Sequence, residues 1–162
     1  MTTGVNRGFR LAFLARVVAK EIRYLQQTDG RLFDVPLDVS KVKELEQNLD
    51  LAERVDAFVS RFGRLQDTVG DKLLPVVLDA LGEKRGAMID NLNRAEKLGL
   101  LGSAEQWMAW RDLRNRMVHE YIEDAKQLAD ALNKGHQHVA DLTADASRIL
   151  EEIEARAWLS VG

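Results

Sequence analysis

A chain of 162 residues with 46% apolar side chains is long enough to bury a real core and too apolar for disorder. Its net charge of −3 excludes a global field that attracts nucleic acid. The lack of cysteine excludes a disulfide scaffold and any thiolate metal site, and fits a reducing cytosol, so a cytoplasmic protein is expected.

The charge is unevenly spread. Residues 1–32 carry six basic and two acidic groups, whereas residues 119–162 carry four basic and nine acidic. Arg10, Arg16, Lys20, Glu21 and Arg23 interrupt the apolar start, so it reads as neither a membrane span nor a signal segment. The basic first 20 residues faintly resemble a transit peptide, but the apolar period runs on past them. The first helix of the fold is therefore the preferred reading.

Leu11, Leu14, Val18, Ile22 and Leu25 repeat at three- and four-residue spacing and form one helical stripe. Thr28-Asp29-Gly30 is expected to end that helix, and residues 28–38, with Pro36, to form a loop. A long second helix is expected from Asp38 or Ser40. Its stripe takes in Val42, Leu45, Leu49, Ala52, Val55, Val59, Phe62, Leu65 and Val69. Gly70 and Pro75 predict a kink or break, because proline removes a backbone donor and crowds the preceding turn. Val76, Val77 and Leu81 continue the stripe, and Leu81-Gly82 reads as a stop.

A shorter helix covers about Ala87 to Leu98, closed by Gly99 and Gly102. Ser103-Ala104-Glu105-Gln106 has the pattern of a capping box, with the Ser103 hydroxyl and the Gln106 amide each meeting an orphan N–H. The helix it opens should run from residue 104 to about 121. The last helix is expected from near Asp124 to about Arg156. Leu128, Leu132, Gly135, Val139, Leu142, Ala146, Ile149 and Ile153 give it a coiled-coil-like spacing. No strand pattern competes. The expected fold is an all-α, up-and-down helical bundle of about five helices, one domain over residues 1–162.

The fourth of these helices carries the chemistry. Arg114-Asn115-Arg116-Met117-Val118-His119-Glu120-Tyr121 is the one place where histidine, arginine, asparagine and tyrosine crowd together. Cleaving an RNA strand without a metal requires an imidazole to move a proton and a fixed cation to hold the phosphate. With Trp110 set at zero, Leu113 and Met117 lie at about −60° and −20°, and Trp107 and Val118 at about +60° and +80°. Arg114 and Tyr121, at about +40° and +20°, fall inside this core stripe. A charge there is costly unless paired, so Arg114 should face a cleft, a partner or an internal acid such as Asp67 or Asp71. Arg111, Asn115 and His119 form a separate polar stripe at about 100° to 180°. Arg114 and His119 are about 140° apart on a straight helix. Arg114 curling round the axis, a helix that frays at the motif, or a second copy of the chain could each bring them together, and a two-fold homodimer is the expectation adopted.

The pattern Arg114-Asn115-x-x-x-His119-x-Tyr121 resembles the R-x4-H-x-Y motif of HEPN-domain proteins, most closely the HepT-like toxins. The resemblance extends to the all-α layout, with the motif late in the penultimate long helix and the acidic turn Glu123-Asp124 after it. It implies a dimeric, metal-independent endoribonuclease whose Arg114 and His119 line a cleft between subunits. It further implies a minimal nucleotidyltransferase as antitoxin partner, which adds AMP to Tyr121 and silences the toxin. His119 would be the general acid/base, Arg114 the phosphate-stabilising cation and Asn115 an orienting group, with Arg111 and Asp67 in support. No cofactor, metal or membrane is implied. The chain departs from a compact toxin in its long acidic tract from Asp124 onward. Some relatives serve instead as non-catalytic substrate-binding subunits of a nucleotidyltransferase.

Other candidates are weaker. His136 and His138 diverge by about 200° on a helix, so joint metal binding is not expected, and solvent-facing side chains are. Asp67, within Arg64-Leu65-Gln66-Asp67, is a possible partner for Arg114 or Arg111. Glu83-Lys84-Arg85 reads as a solvated turn, and Trp107 and Trp110 as core. The chain has no P-loop, no dinucleotide-binding glycine pattern and no zinc-protease motif.

Overall fold

The computed structural model describes residues 2–119, 124–156 and 158. Among these there is no strand. Seven α-helices follow one another: α1 Thr2–Leu32, α2 Val39–Lys43, α3 Leu49–Asp67, α4 Leu74–Ala80, α5 Met88–Lys97, α6 Ala104–His119 and α7 Ala125–Ala155. A 3-10 turn, Glu44–Glu46, follows α2, and a π-helical turn, Thr68–Leu73, joins α3 to α4. The molecule is an all-α bundle. α1 packs on α3 and α7, while α6 packs on α3, α5 and α7.

One continuous core draws side chains from all seven helices. The stripe expected for α7 is buried along its whole length, from Leu128 to Ile153. Its N-cap is Asp124, whose carboxylate accepts from the Lys126 and Gln127 N–H groups at 3.0 and 3.2 Å. No described helix is long and apolar enough to cross a membrane.

Two expectations about the elements are corrected. α1 does not stop at Thr28-Asp29-Gly30 but runs through to Leu32. Burial of Thr28 and Leu32 extends the stripe past the turn signal, and Arg61 on α3 donates a hydrogen bond to the Thr28 hydroxyl. The long second helix is divided before Leu49 rather than continuous. Asp38 caps α2 through Lys41 N–H at 2.8 Å, and Asn48 caps α3 through Leu51 N–H at 3.1 Å. Leu49, counted in the stripe, is consequently 72% exposed.

The interruption expected at Gly70 and Pro75 takes the form of the π-helical turn Thr68–Leu73. Pro75 has no N–H to return to the carbonyl of Asp71, so the hydrogen-bond ladder is rearranged ahead of it. Leu74 N–H reaches back to Val69 O, a π-type bond, and α4 then continues. α4 and α5 end as expected at Gly82 and Gly99, both at φ +75°, a conformation that favours glycine. Glu83 N–H and Leu100 N–H close these ends onto Leu78 O and Ala95 O, at 2.9 Å each.

At the start of α6 the Ser103 hydroxyl accepts from Gln106 N–H at 3.1 Å. The expected return bond from the Gln106 amide to Ser103 N–H is not formed, and a different orphan donor, Ala104 N–H, is taken by Glu96 at 2.8 Å.

Candidate functional site

α6 is anchored by its tryptophans. Trp107 and Trp110 are buried, and Trp107 Nε1 donates to Asp145 on α7 at 2.8 Å. Asp145 also accepts from Gly102 N–H at 3.2 Å, so one carboxylate ties the start of α6 to the middle of α7. On the α3 side, Gln66 Nε2 donates to Trp110 O at 3.2 Å. These contacts hold the helix at both faces and decide where the next two turns point.

Arg114 is the first motif residue beyond those anchors. Its Nη1 and Nη2 donate to the two oxygens of Asp67 at 3.3 and 3.1 Å, a bidentate pair. The guanidinium lies against Gly63, one turn before Asp67 on α3. A Cβ built on Gly63 would stand 2.8 Å from Arg114 Nε, closer than real Cβ atoms approach. Only a bare glycine leaves room for the arginine to lie flat there. Arg111, one turn earlier on α6, faces Asp71 at 3.8 Å. Asp67 with Arg114 and Asp71 with Arg111 form two rungs of a ladder between antiparallel helices.

The fold thereby meets the cost of a charge in an apolar stripe. Leu113 and Met117 flank Arg114 in the core, and the arginine escapes burial through the gap at Gly63. The Arg114 side chain is 33% exposed and Asp67 36%, so the pair lies at the surface of a shallow notch. The bidentate pair uses one N–H of each terminal nitrogen and Nε lies over Gly63, which leaves one further N–H on each terminal nitrogen.

Asn115 is exposed beside this pair. His119 is the last residue of α6. Tyr121, like the expected last turn of the motif helix, lies outside the described residues. Val118 departs from its expected core position and is 50% exposed. It lies at the edge of the stripe. With Val59, Met117, Asp56 and Ser60 it lines an apolar pocket of about 430 Å³ between α3 and α6.

A second acid lies close to the ladder. Glu21 on α1 accepts from the Thr68 hydroxyl at 2.9 Å, and its other oxygen is buried without a partner. Burial pushes its carboxyl above the usual value of 4.5. The Thr68 hydrogen bond, Arg64 and Lys72 oppose that shift, and Asp67 adds to it. The amphipathic pattern of α1 had not distinguished this residue.

His136 is exposed, as the solvent-facing reading expected, and His138 is half-buried. His136 stacks on Phe33, with ring centroids 4.4 Å apart, and its Nδ1 is 2.7 Å from Asp29 Oδ1. His138 lies against Trp110 with a centroid separation of 6.0 Å. Among the described residues no cluster of three or more histidine and carboxylate side chains could hold a metal ion. Glu83 and Arg85, in the expected turn, are paired with Arg94 at 2.7 Å and Asp79 at 3.4 Å.

No family model, no curated protein and no solved structure matches the chain.

Proposed function

We propose that the chain is a metal-independent endoribonuclease of the HEPN type, a toxin held in check by a minimal nucleotidyltransferase. The observation that carries this reading is the seat of Arg114. An arginine inside an apolar stripe is oriented by Asp67, lies on a glycine that has room for nothing larger, and keeps N–H donors toward solvent. An exposed pair of this kind adds little stability, about 0–1 kcal/mol. Such a cradle is better explained by the need to aim a cation.

In this mechanism the RNA 2′-oxygen attacks the adjacent phosphorus while its proton passes to the His119 imidazole. The P–O5′ bond breaks, and the leaving oxygen takes a proton from the imidazolium of His119 in a second copy. Arg114 stabilises the extra negative charge on the phosphorus oxygens, and Asn115 orients the phosphate or the imidazole. A homodimer supplies both histidines. The apolar pocket at Met117 and Val118, one turn past Arg114, supports placing the dimer contact beside the motif. AMP groups on Tyr121 would fill the same groove with bulk and negative charge.

The test is cleavage of a labelled single-stranded RNA. Arg114→Ala and His119→Ala should each lower the rate by about a hundredfold or more. Their thermal melts should stay near that of the parent. Two variants that cleave like the parent would sink the assignment. A second reading, a non-catalytic substrate-binding subunit of a nucleotidyltransferase, is favoured by one observation: Asp67 occupies both terminal nitrogens of Arg114. It predicts a parent chain that cleaves nothing yet forms a stable complex with the nucleotidyltransferase.

A further inference from the structure

Two clefts continue from the arginine ladder. The nearer, about 570 Å³, is lined by Arg7 and Arg10 of α1, Lys72 of the π turn, and Arg85, together with Asp71 and Asp79. Asp71 is the acid that faces Arg111, so this cleft begins where the ladder ends. The farther cleft, about 440 Å³, lies over the turn between α4 and α5 and is lined by Lys84, Arg85, Arg94 and Lys97, together with Asp90 and Asn93. Arg85 belongs to both, so the two form one track.

Cations outnumber acids along this track. Arg94 is paired with Glu83, Arg85 with Asp79, and Arg7 Nη1 donates to Asp79 O at 3.2 Å. Among the described residues, no carboxylate lies within ion-pair distance of Arg10, Lys72, Lys84 or Lys97. The existing pairs are exposed, and such pairs open readily for a competing anion. Val76 is the one apolar side chain lining either cleft, so an apolar small molecule finds little to bury against. The chain as a whole is anionic, at −3, so the attraction is confined to this strip.

We propose that this track binds the phosphodiester backbone of an RNA strand and leads it to Arg111 and Arg114. The proposal rests on the nuclease reading for its choice of RNA. Lys84 and Lys97 form the far end, where each can neutralise a phosphate without first leaving an ion pair, although Asp90 lines the same cleft. Arg10 and Lys72 hold the strand midway, and the motif helix receives it. Affinity from such contacts comes from released counterions and falls with salt by about 0.7 log units per phosphate contact on a single strand.

The experiment uses the full chain carrying His119→Ala, so that RNA survives the measurement. Fluorescence anisotropy reads the binding of a labelled single-stranded RNA, and of DNA of the same sequence, across a salt series. Adding Lys84→Ala and Lys97→Ala should weaken RNA binding about tenfold near 0.1 M salt and lower the salt slope by about 1.4. The matched pair Lys126→Ala and Lys134→Ala, on α7, should change neither. The proposal is overturned if the Lys84/Lys97 variant binds RNA as the parent does, or if DNA is held more tightly than RNA. Track-dependent binding by a chain that never cleaves would sink the nuclease reading and uphold the track. Cleavage with track-independent binding would do the reverse.

Discussion

α6 and α7 are neighbours, and they handle polarity in opposite ways. α7 buries an unbroken stripe from Leu128 to Ile153, and the main charge on its inner face, Asp145, is enclosed by donors. α6 carries a charge in the same kind of stripe, and the structure opens a notch at Gly63 to let it out. The first arrangement holds the bundle together. The second leaves a group aimed at solvent, at a stability gain too small to explain it. A buried polar group that is fully satisfied is architecture, whereas one that is guided to the surface is a candidate for chemistry.

The sharpest way to separate the two is to remove the enclosed carboxylate. Asp145→Ala orphans two donors, Trp107 Nε1 and Gly102 N–H, at the start of α6. A loss of about 3 kcal/mol is expected, a fall in Tm of roughly 6–12 °C by calorimetry. Asp145→Asn should recover part of it, because one oxygen can still accept. If Asp145→Ala melts within a degree or two of the parent, the enclosed acid is not the tie between these helices.

How far the sequence alone reaches follows the same division. The stripes of α1 and α7 were legible because repeated burial every three or four residues leaves a periodic trace. The seat of Arg114 was legible only in part. Its misplaced charge demanded a partner, and Asp67 and Asp71 were available acids, but nothing marked Gly63 as the floor of a notch. A glycine in mid-helix has no signal of its own for a neighbour forty or more positions away. The break at Asn48 was hidden by apolar residues that keep their spacing across it, and the stop at Gly30 was overridden by burial of Leu32. Glu21 was invisible for a further reason. Its environment is set by Thr68, Arg64 and Lys72, brought to it only by the packed bundle.

Two glycines bring the comparison to a single methyl group. Gly63→Ala on α3 places a Cβ against Nε, Cγ and Cζ of the flexible Arg114 side chain, while at Gly135 on α7 the nearest atoms are the Phe58 ring at 3.2 Å and Met117 Sδ at 3.4 Å. Gly63→Ala should let Arg114 swing away from Asp67 and lower RNA cleavage by about tenfold, equivalent to about 1.4 kcal/mol in the barrier. Its Tm should hold or rise slightly, since alanine is favoured over glycine within a helix. Gly135→Ala should leave the cleavage rate near that of the parent. Equal cleavage losses at the two positions would mean that activity follows packing in general rather than the aim of Arg114.

The smallest expected effect separates Asp145 from Glu21, the half-satisfied acid. Glu21 keeps one oxygen on Thr68 and leaves the other buried and unpartnered, and its carboxyl titrates above the usual 4.5. The folded chain therefore holds this proton more tightly than the unfolded chain. Its contribution to stability rises as pH falls through the raised folded value and levels off below 4.5. Above the folded value the group is ionised and the burial penalty is present in full. Glu21→Gln removes that ionisation while its carbonyl oxygen can still accept from Thr68. The variant should melt slightly above the parent near neutral pH, with the difference shrinking as the buffer is lowered toward and below 4.5. Thermal melts of the pair across that range give the answer. A difference that grows on acidification would mean that Arg64 and Lys72 outweigh burial, and that Glu21 belongs with the satisfied acids after all.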